Sequence, residues 1–578
     1  MRRPFPLLLL AFLILGIFYP TIFAESLSTD DHEMIRGYIN MTALDWRGLF
    51  LPQSAPYYYR PLLGLSFYSD QFLFDNHASI AHLENILFHL ASTLLLFHIL
   101  LNVTNRGESA KERDYIPLLL AAFFGLHPLT TEPVNWISGR TDLLAGFFVL
   151  SSFLVFRQNN EKKLWRDLLA AFLFLCGLWS KEVAIGLLAV IFFACLQEQD
   201  FAIQQKWRGI ASRVLPFVVA TFIYGFMRTG GRFTNDIGVM SAIRGGHGAE
   251  HFPLFSKFLS LIKAIGFYSH KIIWPFPLNF AIVEINSSMA LWVGIITLIC
   301  LAAALLFLHR RSAMLGIVWI FCFLAPALPI AVNRVAWTPL AERYLYLPLM
   351  GLTLFMAIIL SRISIQKYIV LFPIAVLLFG FGTATAQRNI IWQKNITLWQ
   401  DVVEKSPNFT AGHNDYALAL LREGKREEAE KHFVIAESLA QGTGKNLAKS
   451  NIALMNSDFE QQLAMLDAIQ QSEQSSKLRS QVLYRMIRLI NGKLIKSDET
   501  AMENHVDLTR KLLACQQQLA ELDKNPYHLY RIGQLLLALG EKEAARVAFA
   551  TTCQESNDYY TQPACTLAKN LAKEMTGE

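Results

Sequence analysis

Thr29-Asp30-Asp31-His32 places two adjacent carboxylates directly after an apolar segment running from Phe5 to Phe23. Charge so close to hydrocarbon is costly unless solvated or paired, so the acidic pair marks a functional site by default. Arg60, within Tyr57-Tyr58-Tyr59-Arg60-Pro61, falls in the same connector. Three later connectors also carry charge and aromatics beyond what a loop needs. The first is His127-Pro128-Leu129-Thr130-Thr131-Glu132-Pro133 through Trp136 to Gly139-Arg140 and Asp142, and the second is Ser180-Lys181-Glu182. The third is Ala341-Glu342-Arg343-Tyr344-Leu345-Tyr346-Leu347-Pro348. No His/Glu spacing here reads as a zinc site. The equipment is carboxylate and cation, suited to acid–base work and to holding an anion.

Each connector taken alone has a plainer reading. Arg140 and Asp142 serve as an interfacial anchor pair, Lys181-Glu182 as a solvated turn, and Glu342-Arg343 as a snorkelling helix start. Their placement on one side of a membrane favours the functional reading, and that placement follows from the surrounding segments.

The 578 residues are 53% hydrophobic and 17% charged, with 42 Phe, and before about residue 390 the charge is confined to short connectors. Apolar runs at 79–101, 115–126, 141–156, 167–180, 183–196, 211–227, 290–308, 312–332, 344–361 and 367–386 follow the first. Together they predict about eleven membrane helices. The Lys/Arg clusters at 105–114, 157–167, 197–213, 309–311 and 361–367 mark cytoplasmic connectors. The four charged connectors then face the other side. The first apolar run is either a signal peptide cleaved after Ala24 or a retained first helix, and both place the acidic pair outside the cytoplasm. Leu62 to Phe74, amphipathic and aromatic, suits the bilayer surface, and Phe252 to Phe280 is taken as re-entrant or interfacial. The net charge of +6 follows from these basic loops, and no basic face of a nucleic-acid binder is visible.

From Trp392 the pattern is helical and soluble. Asn414-Asp415-Tyr416-Ala417, Leu420, Gly424, Ala429, Phe433 and Ala436 have the spacing of a tetratricopeptide repeat, and Arg531-Ile532-Gly533, Leu536, Gly540, Ala545 and Phe549 repeat it. The stretch 440–525 is helical with a degenerate pattern. Cys176, Cys195, Cys300 and Cys322 lie in apolar runs as small hydrophobes, while Cys553 and Cys565 form either a disulfide or a reduced pair.

The ordered set of motifs resembles the TMTC-type membrane glycosyltransferases. It runs from the acidic pair after the first span through Tyr-Arg-Pro, His-Pro-x-x-Thr-Glu-x-Val and Gly-Arg-x-Asp-Leu-Leu to Ser-Lys-Glu and Ala-Glu-Arg-Tyr-Leu-Tyr-Leu-Pro. The resemblance covers nearly the whole chain. It implies an all-α protein with a polytopic transmembrane domain of GT-C type over 1–390 and an extracytoplasmic helical-repeat domain over 391–578. It also implies transfer of one sugar from a polyprenyl-phosphate carrier to an acceptor hydroxyl, often Ser or Thr of an exported protein gathered by the repeats. Asp30 or Asp31 would accept the proton of that hydroxyl. Arg60, Arg140, Lys181 and Arg343 would hold the lipid phosphate, with Arg343 and Arg140 foremost. His127, Glu132, Asp142, Glu182, Glu342 and Tyr346 would support them. The expected mechanism is a single inverting displacement. No required cofactor can be argued, and a divalent metal across the acidic pair and the phosphate is left open. The Gly245-Gly246-His247-Gly248 loop matches nothing in the family pattern. A bacterial inner membrane, N-terminus cytoplasmic and repeats periplasmic, is the expected setting. The rivals are a membrane-anchored repeat scaffold without catalysis and a transporter of lipid-linked sugar.

Overall fold

Long apolar runs fold as helices because only a helix satisfies every backbone N–H and C=O within its own segment away from water. A computed structural model of the chain describes residues 5–27, 31, 45–51, 59–74, 77–104, 115–157, 164–198, 203–229, 254–283, 287–307, 311–333, 338–361, 367–496, 502–556 and 558–576. Among them the protein is all-α, and the only extended pairing is an isolated bridge between Ile282 and Leu340. Six helices are long and apolar enough to cross a membrane: Phe5–Phe23, Ala78–Thr104, Ile137–Arg157, Trp207–Arg228, Glu342–Leu360 and Phe372–Trp392. A seventh arises if Ala313–Leu324 and Ala327–Asn333, bent by 44°, form one broken span. Tyr115–Gly125, Glu182–Gln197 and Ser288–Ala304 are apolar and shorter. The chain is an integral membrane protein.

Two compact units divide at Pro407/Asn408. In the first, Ala78–Thr104 lies at the centre, packed by Phe5–Phe18, Tyr115–Gly125, Arg140–Arg157 and Tyr346–Leu360. The connector 127–140, expected to open outward, is instead buried along its whole length, with every residue from 120 to 146 inside the unit. Part of the cover is helix Pro61–Phe74, which packs on Ala78–Thr104, Arg140–Arg157 and Leu164–Ser180 and buries Leu63, Gly64, Phe67 and Asp70. A polar network then fixes the connector from the other side. Thr21 Oγ1 donates to Asn135 (2.8 Å), whose amide donates to Asn389 Oδ1 (2.7 Å), and Asn389 in turn donates to the Ile17 carbonyl (2.9 Å).

Helix Leu254–Ile273 buries Ile262, Ala264, Ile265, Phe267 and Tyr268 and exposes Leu254, Phe255 and Phe258. It crosses Ser287–Phe307 with backbones nearly touching. A Cβ on Gly266 would lie 1.8 Å from the Ala290 carbonyl oxygen, and one on Gly294 would lie 2.1 Å from that of Ile262. Helix Asn395–Lys405, placed by sequence with the soluble part, belongs to the first unit. Trp399 is fully buried against Phe280, and Asn395 bonds the Glu25 carboxylate through both its backbone and side-chain nitrogens. Cys300, expected inside, faces outward from its helix.

The second unit is a run of helices from Thr410–Arg422 to Thr561–Thr576, each packed on the next. Two turns have the same chemistry: Gly424 (φ 77°) and Gly540 (φ 81°) end their helices in the left-handed region that glycine occupies without penalty. The aromatic that fills the hairpin is visible at Phe549, whose ring would stand 2.7 Å from a Cβ on Gly533. The degenerate stretch is regular helix as well, from Gly442–Ala453 to Met502–Asp523. A Cys553–Cys565 disulfide, with Cα atoms 5.0 Å apart, ties the last two helices together.

Gly266→Ala is expected to destabilise the solubilised protein by about 1–3 kcal/mol, since the opposing atoms are backbone and cannot rotate aside. Gly225→Ala, with nothing within 4 Å of the added methyl, should be neutral or mildly stabilising. Thermal unfolding of both variants in detergent checks the contrast.

Candidate functional site

The buried connector folds tightly because its own polar side chains close its turns. Thr130 Oγ1 donates to the His127 carbonyl (2.7 Å) and Thr131 Oγ1 to the Pro128 carbonyl (2.6 Å). Gly139 is required where the chain doubles back, as a Cβ there would stand 2.6 Å from the Pro133 carbonyl oxygen. Asp31 anchors the same turn. Its Oδ1 accepts from the Ser138 backbone (3.0 Å) and hydroxyl (2.6 Å), and its Oδ2 accepts from the Leu27 backbone (2.8 Å). Asp30, like His32 and the 245–248 loop, lies outside the described residues.

Charged pairs then gather the connectors at one end of the spans. Glu132 takes both the Arg343 guanidinium (Nη1–Oε1 2.5 Å) and the Arg343 backbone N–H (2.9 Å). Lys181 Nζ sits between the two oxygens of Asp142 at 2.6 and 2.7 Å. The Tyr344 ring joins these pairs, with Lys181 Nζ 5.5 Å and Arg343 Cζ 5.1 Å from its centroid, and Arg343 also lies 4.9 Å from the Trp136 ring. Glu182 is shared: Arg60 Nη2 reaches Oε2 at 3.3 Å and Arg228 Nη1 reaches Oε1 at 3.1 Å. Lys181 and Glu182 are consecutive, so Arg60, Lys181, Arg228 and Arg343 form one cluster. Among the described residues these four cations face three carboxylates, Glu132, Asp142 and Glu182.

Other residues expected at the site turn inward. Arg140 is fully buried, and its guanidinium donates to Asn85 Oδ1 (3.1 Å), Ser66 Oγ (3.1 Å), the Ala81 carbonyl (3.1 Å) and Asp70 (2.8 Å). It also pairs with Glu84 at 3.0 Å and lies over Phe67. Enclosed in this way it braces helix Pro61–Phe74 against the spans and faces no open space. His127 sits edge-on between Phe123 and Phe381 with Nδ1 accepting from the Leu129 backbone N–H (3.2 Å), and burial pushes its pKa down to about 3, so it is neutral. Tyr346 is buried with its hydroxyl 3.1 Å from His89 Nδ1. Glu342 is removed from the cluster by Lys271, whose Nζ lies 2.7 Å from Oε1 and also donates to the carbonyls of Pro275 and Pro277. Among the described residues no group of three or more His, Cys, Asp or Glu side chains could hold a metal ion.

Arg228 and Asp70 are not singled out in the sequence, and Lys271 figures only as a charge in the segment Phe252 to Phe280, without a role at the site. Arg228 is a lone cation closing an apolar run, which ordinarily marks a span boundary. Asp70 was the one readable signal: a carboxylate within the aromatic stretch Leu62 to Phe74 needs a cation.

Arg140→Met should cost roughly 3–5 kcal/mol, because Asp70 and Glu84 lose a buried counter-charge. The loss should appear as reduced folded yield and an earlier thermal transition in detergent, with Arg140→Lys only partly corrective because one ammonium cannot reproduce the fork.

No family model matches the chain, and no solved structure matches it significantly. Curated proteins do. Human protein O-mannosyl-transferase TMTC1 is 24% identical over 438 residues, covering 66% of this chain and 48% of the relative. Mouse protein O-mannosyl-transferase TMTC3 is 23% identical over 545 residues, covering 85% and 56%. Human protein O-mannosyl-transferase TMTC4 is 33% identical over 147 residues, or 23% and 20%. The chain spans about half the length of TMTC1 and TMTC3. Over most of its own length, this integral membrane protein is a relative of the TMTC-type protein O-mannosyl-transferases.

Proposed function

We propose that the chain is a membrane glycosyltransferase of GT-C type that moves one sugar, by analogy with its relatives mannose, from a polyprenyl-phosphate carrier to a Ser or Thr hydroxyl of an exported protein. The observation that carries this reading is the convergence of Arg60, Lys181 and Arg343, from three connectors far apart in sequence, at one end of the spans. A lipid phosphate is a leaving group whose charge grows as the glycosyl bond breaks, and fixed cations there stabilise the transition state more than the ground state.

Asp31 has both its oxygens engaged by Leu27 and Ser138, which supports an anchoring role, and the base is assigned to Asp30 in this proposal. In the reaction the acceptor hydroxyl gives its proton to Asp30 as its oxygen bonds the anomeric carbon. The bond from that carbon to the phosphate oxygen breaks on the opposite face, inverting the centre and leaving polyprenyl phosphate on the cations. The unit ending at Pro407 supplies the catalytic domain and the unit from Asn408 onward the repeat domain that gathers the acceptor. The Cys553–Cys565 disulfide supports an extracytoplasmic, periplasm-like side for the repeats.

Mass spectrometry of exported proteins from cells carrying the chain, or Asp30→Asn or Arg343→Gln variants of it, tests the assignment. A hexose mass present with the unmodified chain should be lost with both variants, with single-turnover transfer by the purified protein falling on the order of a hundredfold or more. Wild-type glycosylation by an inserted Asp30→Asn variant would sink the role of that carboxylate.

A further inference from the structure

Among the carboxylates of the cluster, Glu182 stands apart. The side chains of Glu132 and Asp142 are 3% and 2% exposed and held at 2.5–2.7 Å by their cations. That of Glu182 is 32% exposed and held from its two ends by single, longer contacts of 3.3 Å to Arg60 and 3.1 Å to Arg228. Arg228 ends helix Ile203–Arg228 and its Nη1 also donates to Tyr224 one turn earlier, at 2.9 Å. Tyr224 packs on Tyr59, the residue before Arg60, with ring centroids 5.6 Å apart, and Tyr59 donates its hydroxyl to the Phe50 carbonyl at 2.8 Å. The Arg228 guanidinium is thus braced by the Tyr224 hydroxyl, and Arg60 follows directly on the anchored Tyr59, while the carboxylate between them is the more exposed partner.

Two guanidiniums bridged by one part-exposed carboxylate, with a single oxygen for each, are spaced for an anion with more oxygens than a carboxylate has. Phosphate offers three and, as a monoester, up to twice the charge, and Arg forks favour it. We infer that Glu182 is an internal stand-in for the carrier phosphate: Arg60 and Arg228 hold it when the site is vacant, and the phosphate monoester of a polyprenyl carrier displaces it. Arg228 thereby becomes a phosphate-binding residue of the site. Glu182 becomes its built-in competitor, which weakens retention of the spent carrier and lets it leave after transfer. This inference rests on the lipid-phosphate reading given above and adds a direction to it. A carboxylate that merely supports the site should strengthen ligand binding, whereas a stand-in should oppose it.

Equilibrium binding of undecaprenyl phosphate to the full chain in lipid nanodiscs separates the two, with inorganic phosphate as a second probe. If Glu182 occupies the guanidiniums about nine-tenths of the time in the vacant site, Glu182→Gln should tighten undecaprenyl phosphate about tenfold. Arg228→Gln should weaken it by a comparable factor, and Glu182→Gln/Arg228→Gln should bind no better than Arg228→Gln alone. Thermal unfolding of each variant, and Arg228→Lys with partial recovery, separate loss of binding from loss of fold. Weakened or unchanged binding by a folded Glu182→Gln variant overturns the inference. So does unaltered binding by Arg228→Gln where Arg343→Gln abolishes it, an outcome that leaves the transferase reading standing. If the unmodified chain binds no undecaprenyl phosphate, both readings fall. If inorganic phosphate binds as tightly as the lipid, the ligand is free phosphate and the carrier assignment is overturned.

Discussion

A charge that leaves water must find its counter-charge within the fold, and the first unit is organised around that constraint. Replacing a buried pair by apolar residues is often neutral, but breaking one costs several kcal/mol, so such pairs select an arrangement more than they add stability. Here they join segments remote in sequence: Asp70 with Arg140, Asp142 with Lys181, Glu132 with Arg343 and Lys271 with Glu342. Each ties one connector to another. The connectors therefore collapse onto the ends of the spans instead of standing in water, and the stretch 120–146 ends wholly inside.

The same constraint sorts structural from chemical residues. Arg140 has acceptors on every side of its guanidinium and holds a helix in place, so its charge is already neutralised before any ligand arrives. Lys271 does the same for Glu342 and for the turn through Pro275 and Pro277, whose Phe280 is boxed by Trp136, Trp392 and Trp399. Arg60, Arg228 and Arg343 differ in kind. Their described carboxylate partners lie in one cluster, and one of them, Glu182, is part-exposed. An anion entering there meets cations whose orientation is already fixed, which is the condition under which electrostatic stabilisation costs no reorganisation.

The second unit is held by a different economy. Its helices are short and polar outside, and small residues such as Ala417, Ala429, Ala436 and Ala545 are fully buried where the pairs cross. Each helix of the run packs on the next. A disulfide joins two of these neighbours, Lys542–Glu555 and Thr561–Thr576.

Much of this was legible in the residues. Apolar runs separated by basic connectors dictate membrane helices, because hydrogen-bond satisfaction in hydrocarbon leaves no alternative. Glycines at matched positions, Gly424 and Gly540, dictate hairpin turns, because only glycine enters the left-handed region freely. The charged connectors could be singled out because charge at a membrane face is expensive wherever it occurs. What the chain order could not say is which charge meets which. Arg140 and Arg343 look alike in sequence, each an arginine beside a span with an acid one or two residues away. Only tertiary packing made one a brace, by closing helix Pro61–Phe74 over it, and left the other beside Glu132 and Tyr344 at the cluster. Arg228 and Glu182 are 46 residues apart and were joined only by the packing of helices that sequence treats as separate spans. Pairing of charge depends on distance in space, and distance in space is decided by the apolar surfaces that drive helices together, not by the order of the residues that carry the charge.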